Sequence, residues 1–529
     1  MTARILVVLV AIALVVALPF ALKPEEGLLA EADDSLVIIT PHNEAIRYEF
    51  SRAFSRHYRN VTGRTVRIDW RMPGGTSEIA RYLKGEFFAA FSNEWKKSGR
   101  EWTAEVQGAF DNPKIELPSD ASQDTTAQAA RRAFLDSRTG IGIDLFFGGG
   151  AFDFSAQAAA GRLVDSGVLR RHPDWFLDDS IPKTVSGEPF WDPAGRWIGA
   201  VVSSFGICYN RDVLERLGFD RLPASWADLT DPVFFKEVAL ADPTKSGSAA
   251  KAFEMIIQQQ MQERLAGGLP EAEAVARGWE DGLRIIQKAA ANARYFTDAA
   301  GRVPVDVAQG DSAIGMCIDF YGRYQSEAVR VGDSPSRLQY FTPAGGSSVG
   351  VDPIGMLRGA PNPEVAKAFI DFVLSIEGQK LWNFRVGTPG GPVRYALRRL
   401  PVRKELYAPE FREYRSDPDV FPYEEAKLFT YRPEWTGPLF KTISFAVRVM
   451  CLDPHDEQVA AWKALAEAGF PPEADAIFSD MKILSYEQAK SVIRPALSSA
   501  DRIEEVRMAK ELGGHFRDQY QKTLEALQP

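Results

Sequence analysis

The chain has 529 residues, 45% hydrophobic and 25% charged, with a net charge of −9. That length predicts two to four domains with sizeable cores. The acidic balance excludes the basic face of a general nucleic-acid binder.

Three cysteines, Cys208, Cys317 and Cys451, form no CxxC or Cys/His metal spacing. Their odd number does not describe a disulfide framework, and leaves either one bridge plus a thiol or three buried thiols. At the N-terminus Arg4 precedes a charge-free run, Ile5 to Leu22. As a helix the run is about 27 Å long, near the thickness of a bilayer core. It reads as a secretory signal or an uncleaved anchor, so residues 1–32 are assigned to targeting and the rest of the chain to export, periplasmic or at the cell surface, with residues 5–22 as a tether if the run is retained.

Leu36 to Thr40 is a short β-branched run, expected as a buried strand. Pro41-His42-Asn43 is a turn, and Ile46, Phe50, Ala53, Phe54 and Tyr58 follow at helical spacing up to Thr62-Gly63. Val66 to Trp70 alternates as a second strand, which completes a β-α-β unit. "RMPGGTSEIARYL" is a glycine-rich turn into a helix, and "DLFFGGGAFDF" is a strand, three glycines and a helix. Between them Ser92 to Gly140 is polar, and "ELPSDASQDTTAQ" is expected to be a disordered or mobile loop.

"WIGAVVSSFGICYN" reads as one long strand, followed by a helix from Asp212, a second helix from Ser225 and a strand at Val238 to Ala241. "LADPTKSGSAAKAF" then opens a long helix. "CIDFYGRY" is a strand that ends in Asp319, Tyr321 and Arg323, and Asn362-Pro363 is a helix start with Asn362 as the cap. Amphipathic helices fill the end of the chain.

The turns Gly74-Gly75-Thr76-Ser77, Gly148-Gly149-Gly150 and Thr244-Lys245-Ser246-Gly247-Ser248 all follow strand ends. Helix N-termini present amide donors, and Ser/Thr add hydroxyls, so these turns suit anions and carbonyl oxygens. Plain helix capping is the alternative. They fail the nucleotide tests, because Lys245 precedes Gly247 and "FFGGGAF" lacks G-x-G-x-x-G. No G-x-S-x-G elbow supports Ser246 or Ser248 as a nucleophile, and the five histidines show no metal pairing. His42 stands apart because it sits in the first turn. Asp319 and Tyr321 supply oxygens suited to a hard cation or an ammonium group.

With "LVIITPHNE", "DLFFGGGAFDF", "WADLTDPVFFKEVALADPTKSGS", "DPIGMLRGAPNPEVAKAFIDFVLSIEGQKLW" and "GTPGGPVRYALRRLP" in this order, the chain resembles the extracellular solute-binding proteins of bacterial ABC importers. The resemblance is to the type II branch that includes ferric-iron, polyamine and aminoethylphosphonate binders. It implies an α/β fold of two lobes, each a mainly parallel sheet flanked by helices, closing on a ligand. Lobe one is expected at 34–202 and 347–395. Lobe two is expected at 205–345, with about 396–529 as a helical extension.

The resemblance further implies a protein that is not an enzyme, has no cofactor, and hands a small-molecule or metal-ion solute to an inner-membrane ABC permease. The ligand-binding residues expected are His42, Asn43, Thr76, Ser77, Gly149, Gly150, Ser203, Ser204, Thr244, Ser246, Gly247, Ser248, Asp319 and Tyr321. If the cargo is ferric iron, His42, Glu78 and Tyr321 are its expected ligands. Ferric binders of this branch carry paired tyrosines where this chain has Phe320-Tyr321. A membrane-anchored sensory or scaffold module on the same fold is the second reading, and a secreted serine hydrolase the third.

Overall fold

The computed structural model describes residues 32–332, 334–499 and 502–528. The targeting segment expected at 1–32 lies, except for its last residue, outside them. No helix among the described residues is long and apolar enough to cross a membrane.

The chain enters through β1 (Asp34–Ile39) and turns at Pro41 into the helix Glu44–Thr62. Asn43 starts that helix by accepting the Ile46 N–H at 3.1 Å, a cap worth about 1 kcal/mol. Gly63, at φ 72°, ends it with its N–H on the Arg59 carbonyl. Ile46, Phe50, Ala53, Phe54 and Tyr58 form its buried stripe, as the spacing predicts.

After β2 (Val66–Arg71), β3 (Leu145–Phe147), β4 (Leu163–Val164), the hairpin β5 (Thr184–Val185) and β6 (Glu188–Pro189), and β7 (Ile198–Ser203), the chain leaves this lobe. It builds a second sheet from β8 (Phe205–Asn210), β9 (Val238–Ala241), β10 (Ala293–Thr297), β11 (Ile314–Ile318) and β12 (Leu338–Phe341). It then returns through β13 (Gly350–Leu357) and β14 (Leu400–Pro401). The first sheet runs β14-β7-β13-β3-β1-β2 with β4 on β13, and the second β10-β9-β11-β8-β12. The protein is therefore a two-lobed α/β fold. The run expected as one long strand is split at Ser204, with one half in each sheet.

Both sheets are mixed rather than mainly parallel. β1 is parallel to β2 and β3, and β9 is parallel to β10 and β11. The strands on either side of the lobe crossings, β7, β8, β12 and β13, make the antiparallel pairs. A chain that crosses between lobes and returns lays its outgoing and returning strands in opposite directions.

The crossings are tied together. Ser204 Oγ lies 3.1 Å from Thr342 Oγ1, and the Phe205 N–H donates to Ser347 Oγ at 2.9 Å.

Three expectations change here. The stretch 92–140 is packed: helices Ala104–Ala109 and Thr126–Asp136 bring Phe110 and Phe134 onto Phe91, and Arg132 pairs with Asp124 at 2.6 Å. Ser225 opens only short 3₁₀ turns, because Asp228 reaches back to the Ala224 and Ser225 amides. Asn362 caps nothing with its side chain; its amides are drawn to the buried Asp144 carboxylate instead.

The region after 395 also divides. β14 pairs with β7 in the first sheet, and Val402 and Ala426 join the first lobe's core. From Phe429 onwards the chain packs into the second lobe, where Phe445, Val449, Trp462, Phe478, Phe516 and Tyr520 complete the core around Trp279. Residues 396–426, expected with lobe two, thus pack on lobe one. All three cysteines are buried free thiols.

Candidate functional site

Between the lobes lies a cavity of about 970 Å³. Its walls are the turns that follow the strand ends. Lobe one supplies Asn43, Gly74 to Thr76 and Gly149 to Ala151; lobe two supplies Ser246 to Ser248 and Ala299 to Gly301. Each of Asn43, Gly75, Gly150 and Ser246 is the cap residue of a helix of at least ten residues, so four helix N-termini converge on one space. The glycines let this happen. Gly148 (φ 89°) and Gly149 (φ 121°) hold left-handed backbone, and a Cβ would meet His42 Nε2 at 2.5 Å and Thr76 Cγ2 at 2.6 Å respectively.

Of the expected ligand residues, His42, Asn43, Thr76, Gly149, Gly150, Ser203, Ser246, Gly247, Ser248 and Tyr321 line the cavity, as does Glu78. Ser77, Ser204, Thr244 and Asp319 do not. Thr244 is spent on Asp242, which accepts both its N–H and its hydroxyl. Ser204 joins the two crossings, and Ser77 lies behind Thr76 on the helix. Asp319 is fully buried; it opens a helix rather than ending a strand, and its carboxylate pairs with Arg323 at 2.9 Å. Burial pushes its pKa up to about 6.

Behind the cavity wall, against the lining residues His42, Ser203, Phe320 and Asp352, lies a guanidinium that the sequence reading missed. Arg399, fully buried, donates to Ser203 Oγ at 2.7 Å and pairs with Asp352 at 2.5 Å. Its planar group lies 4.0 Å from the Phe320 ring centroid, so a first-lobe cation stacks on a second-lobe ring. Its Nη1 is 3.3 Å from His42 Nε2. Burial, together with the charges of Arg399 and Arg47, holds the His42 imidazole well below its ordinary pKa. A neutral His42 that turns its Nε2 lone pair to Arg399 carries its proton on Nδ1, which is buried without a partner among the described residues.

The carboxylates at the cavity are mostly engaged. Asp298 pairs with Lys245 at 2.5 Å, and Glu78 accepts the Gly75 N–H at 2.7 Å. Glu188 and Glu254 share Lys251 at 2.8 and 2.9 Å. Asp153 makes no ion pair among the described residues; burial raises it to about 6 against the opposing charge of Lys441. Left over are donors: the Thr76 and Ser248 hydroxyls and the Asn43 amide NH₂ make no side-chain hydrogen bond among the described residues, and the first two amides of each helix have no intrahelical partner, the third being held by the cap residue. As for metal ligation, no group of three His, Cys, Asp or Glu residues is clustered for it among the described residues. His42 and Glu78 are already committed, to Arg399 and to Gly75.

The sequence reading also missed one wall. Tyr431, Pro433, Gly437, Pro438 and Phe440 reach the cavity from the C-terminal region. Proline and glycine spacing there reads only as a loop, and nothing in it points back across more than 180 residues to the Ser246 helix.

Residues 142–410 match the family of bacterial extracellular solute-binding proteins, just over half of the 529 residues, so the chain belongs to that family. An uncharacterized protein of Haemophilus influenzae is 28% identical over 244 residues, 45% of this chain and 60% of that protein. The phosphoglycerate transport regulatory protein PgtC of Salmonella typhimurium is 22% identical over 213 residues, 40% of this chain and 47% of that protein. The matches thus span about half of the length of these curated relatives. Among solved structures, the periplasmic binding protein AfuA from Actinobacillus pleuropneumoniae aligns with a TM-score of 0.45 at 19% identity, over 66% of this chain and 82% of that one.

Proposed function

We propose that this protein is the exported capture component of an ABC importer, and that it holds an oxygen-rich anionic solute between its lobes and passes it unchanged to a permease. The observation that carries the reading is the convergence of four helix N-termini with unengaged hydroxyl and amide donors, while the nearby carboxylates mostly have partners. Donors without acceptors inside a cleft favour a ligand that brings acceptors, and helix N-termini favour negative charge. Closure follows from contacts with both walls; a methyl group at Gly75 would already lie 3.9 Å from the Lys245 carbonyl oxygen across the cleft. The solute can bias closure only by its differential affinity for the closed form.

Ferric iron alone fits this donor set poorly, since Arg399 stands beside His42. Catalysis by Ser246 is disfavoured because its hydroxyl accepts the Ala249 N–H at its own helix start. The relative's name, phosphoglycerate transport regulatory protein, is consistent with an anionic solute.

The test is a thermal-shift panel on the exported chain with phosphates, phosphate esters, carboxylates, polyamines and ferric complexes. A true ligand at ~100 times its Kd adds about 2.7 kcal/mol to stability. Stabilisation by oxyanions supports the reading; stabilisation confined to polyamines or ferric iron, or none at ~1 mM, overturns it.

A further inference from the structure

The wall contributed by residues 429–440 is hydrogen-bonded to both lobes. On the lobe-one side, the Tyr431 N–H donates to the Ser186 carbonyl at 2.7 Å, and Ser186 Oγ donates to the Phe429 carbonyl at 2.6 Å. Gly187 (φ 76°) permits the approach, because a Cβ there would meet the Tyr431 carbonyl oxygen at 2.0 Å. On the lobe-two side, Tyr431 OH donates to Glu254 at 2.9 Å, and Gln258 bonds both the N–H and the carbonyl of Arg432. The charges at this end are internally matched: Lys251 sits between Glu188 and Glu254, and over the Tyr431 ring at 3.6 Å.

Beside the buried Asp153 carboxyl, what this end offers the cavity is carbon. Phe440 opens a helix whose Ile443 and Val447 are fully buried, and its ring stands 4.8 Å from that of Phe152, which lies in the first turn of a lobe-one helix and is 44% exposed. Pro433 and Pro438 are exposed beside them. The cavity, at about 970 Å³, is at the upper end of small-molecule sites, roughly 300–1,000 Å³. A bare oxyanion seated on the helix N-termini would leave the carbon end empty.

We infer that Phe440 and Phe152 form a specificity wall that takes the carbon portion of the ligand, so that the cleft selects organic oxyanions over bare ones. The inference rests on the proposed capture of an oxyanion and adds which part of the solute the C-terminal region reads. Tyr431 and Gln258 act as positioning residues for this wall.

The experiment is calorimetric titration of the exported chain with two matched pairs, inorganic phosphate with phenyl phosphate and acetate with phenylacetate. In the native protein the aromatic member of at least one pair binds about tenfold tighter or more. Phe440→Ala reduces that preference to about threefold or less while the bare member's affinity holds. If Phe440→Ala lowers the melting temperature sharply, Phe152→Ala, at an exposed position, carries the same test. An unchanged preference in both variants, or no preference in the native protein, overturns the inference. Failure of all four probes to bind overturns the inference alone, because the capture reading stands or falls on the thermal-shift panel.

Discussion

Each lobe is enlarged by a segment beyond the strand-and-helix units that build its sheet, and the two segments do different things. In lobe one, residues 92–140 pack Phe110 and Phe134 against Phe91 and contribute nothing to the cavity lining. In lobe two, the chain from Phe429 onwards fills the main core and also sends five residues to the cleft. The 92–140 insertion starts and ends on lobe one away from the cleft and thickens that lobe. A terminal segment that crosses from one lobe to the other passes the cleft and becomes part of it. The difference is therefore topological: it depends on where the chain crosses rather than on how apolar the segment is.

The largest expected effect comes from removing the C-terminal segment. Phe445, Phe478 and Phe516 are at most 5% exposed, and burying a phenylalanine contributes about 1.5–3 kcal/mol. Three of them equal much of the net stability of a typical domain, about 5–15 kcal/mol. A chain ending at Leu428 should be recovered unfolded or aggregated, as judged by circular dichroism and soluble yield. A truncated chain that melts within a few degrees of the full one would make the segment an appendage and remove the contrast with lobe one.

Phe134→Ala should come next, at about 3–5 kcal/mol in urea unfolding, because the ring is fully buried. It should leave ligand affinity untouched, since the insertion does not reach the cavity. A loss of affinity without loss of stability would show that lobe one's insertion shapes the site after all. Lys251→Met should cost about 3 kcal/mol, because it strands two carboxylates in a largely buried place. Glu188→Gln should cost clearly less, since Lys251 keeps Glu254. Equal losses would mean that the bridge between lobes, rather than the charge balance inside lobe two, dominates.

Legibility followed distance along the chain. β1, its helix and β2 were readable because a strand, a capped turn and a stripe of apolar residues are all local, and the same holds for the glycine turns that became the cleft walls. Thr244 misled because an Asx turn and a ligand-facing hydroxyl have the same residue pattern; only the position of Asp242 tells them apart. Asp319 misled because a helix that starts directly at a strand end looks like a longer strand. The packed insertion looked like a mobile loop because its polar tract hides the capping box at Thr125 and Gln128 and the Arg132–Asp124 pair. Arg399 could not be found from the sequence. It lies about 360 residues from His42, and one arginine in "ALRRLP" carries no local sign of burial.

The smallest expected effect concerns the His42–Arg399 contact and appears in the pH profile. The folded His42 has its pKa depressed, by burial first and then by Arg399, so below its unfolded value near 6.5 the unfolded chain binds a proton that the folded chain refuses. Its contribution to stability is therefore lost as pH falls below that point, by at most about 1.4 kcal/mol per pH unit. Asp153 and Asp319, both raised to about 6, work in the opposite direction, because their folded forms hold protons that the unfolded chain has released. The native profile mixes these trends, and the difference between native and His42→Gln proteins isolates one of them. A Gln side-chain oxygen still offers Arg399 an acceptor, so the variant should be nearly as stable at pH 8 and relatively more stable at pH 5.5, read from urea midpoints. A constant difference across that range would mean that His42 titrates normally, which would put it in water rather than in a buried place beside Arg399.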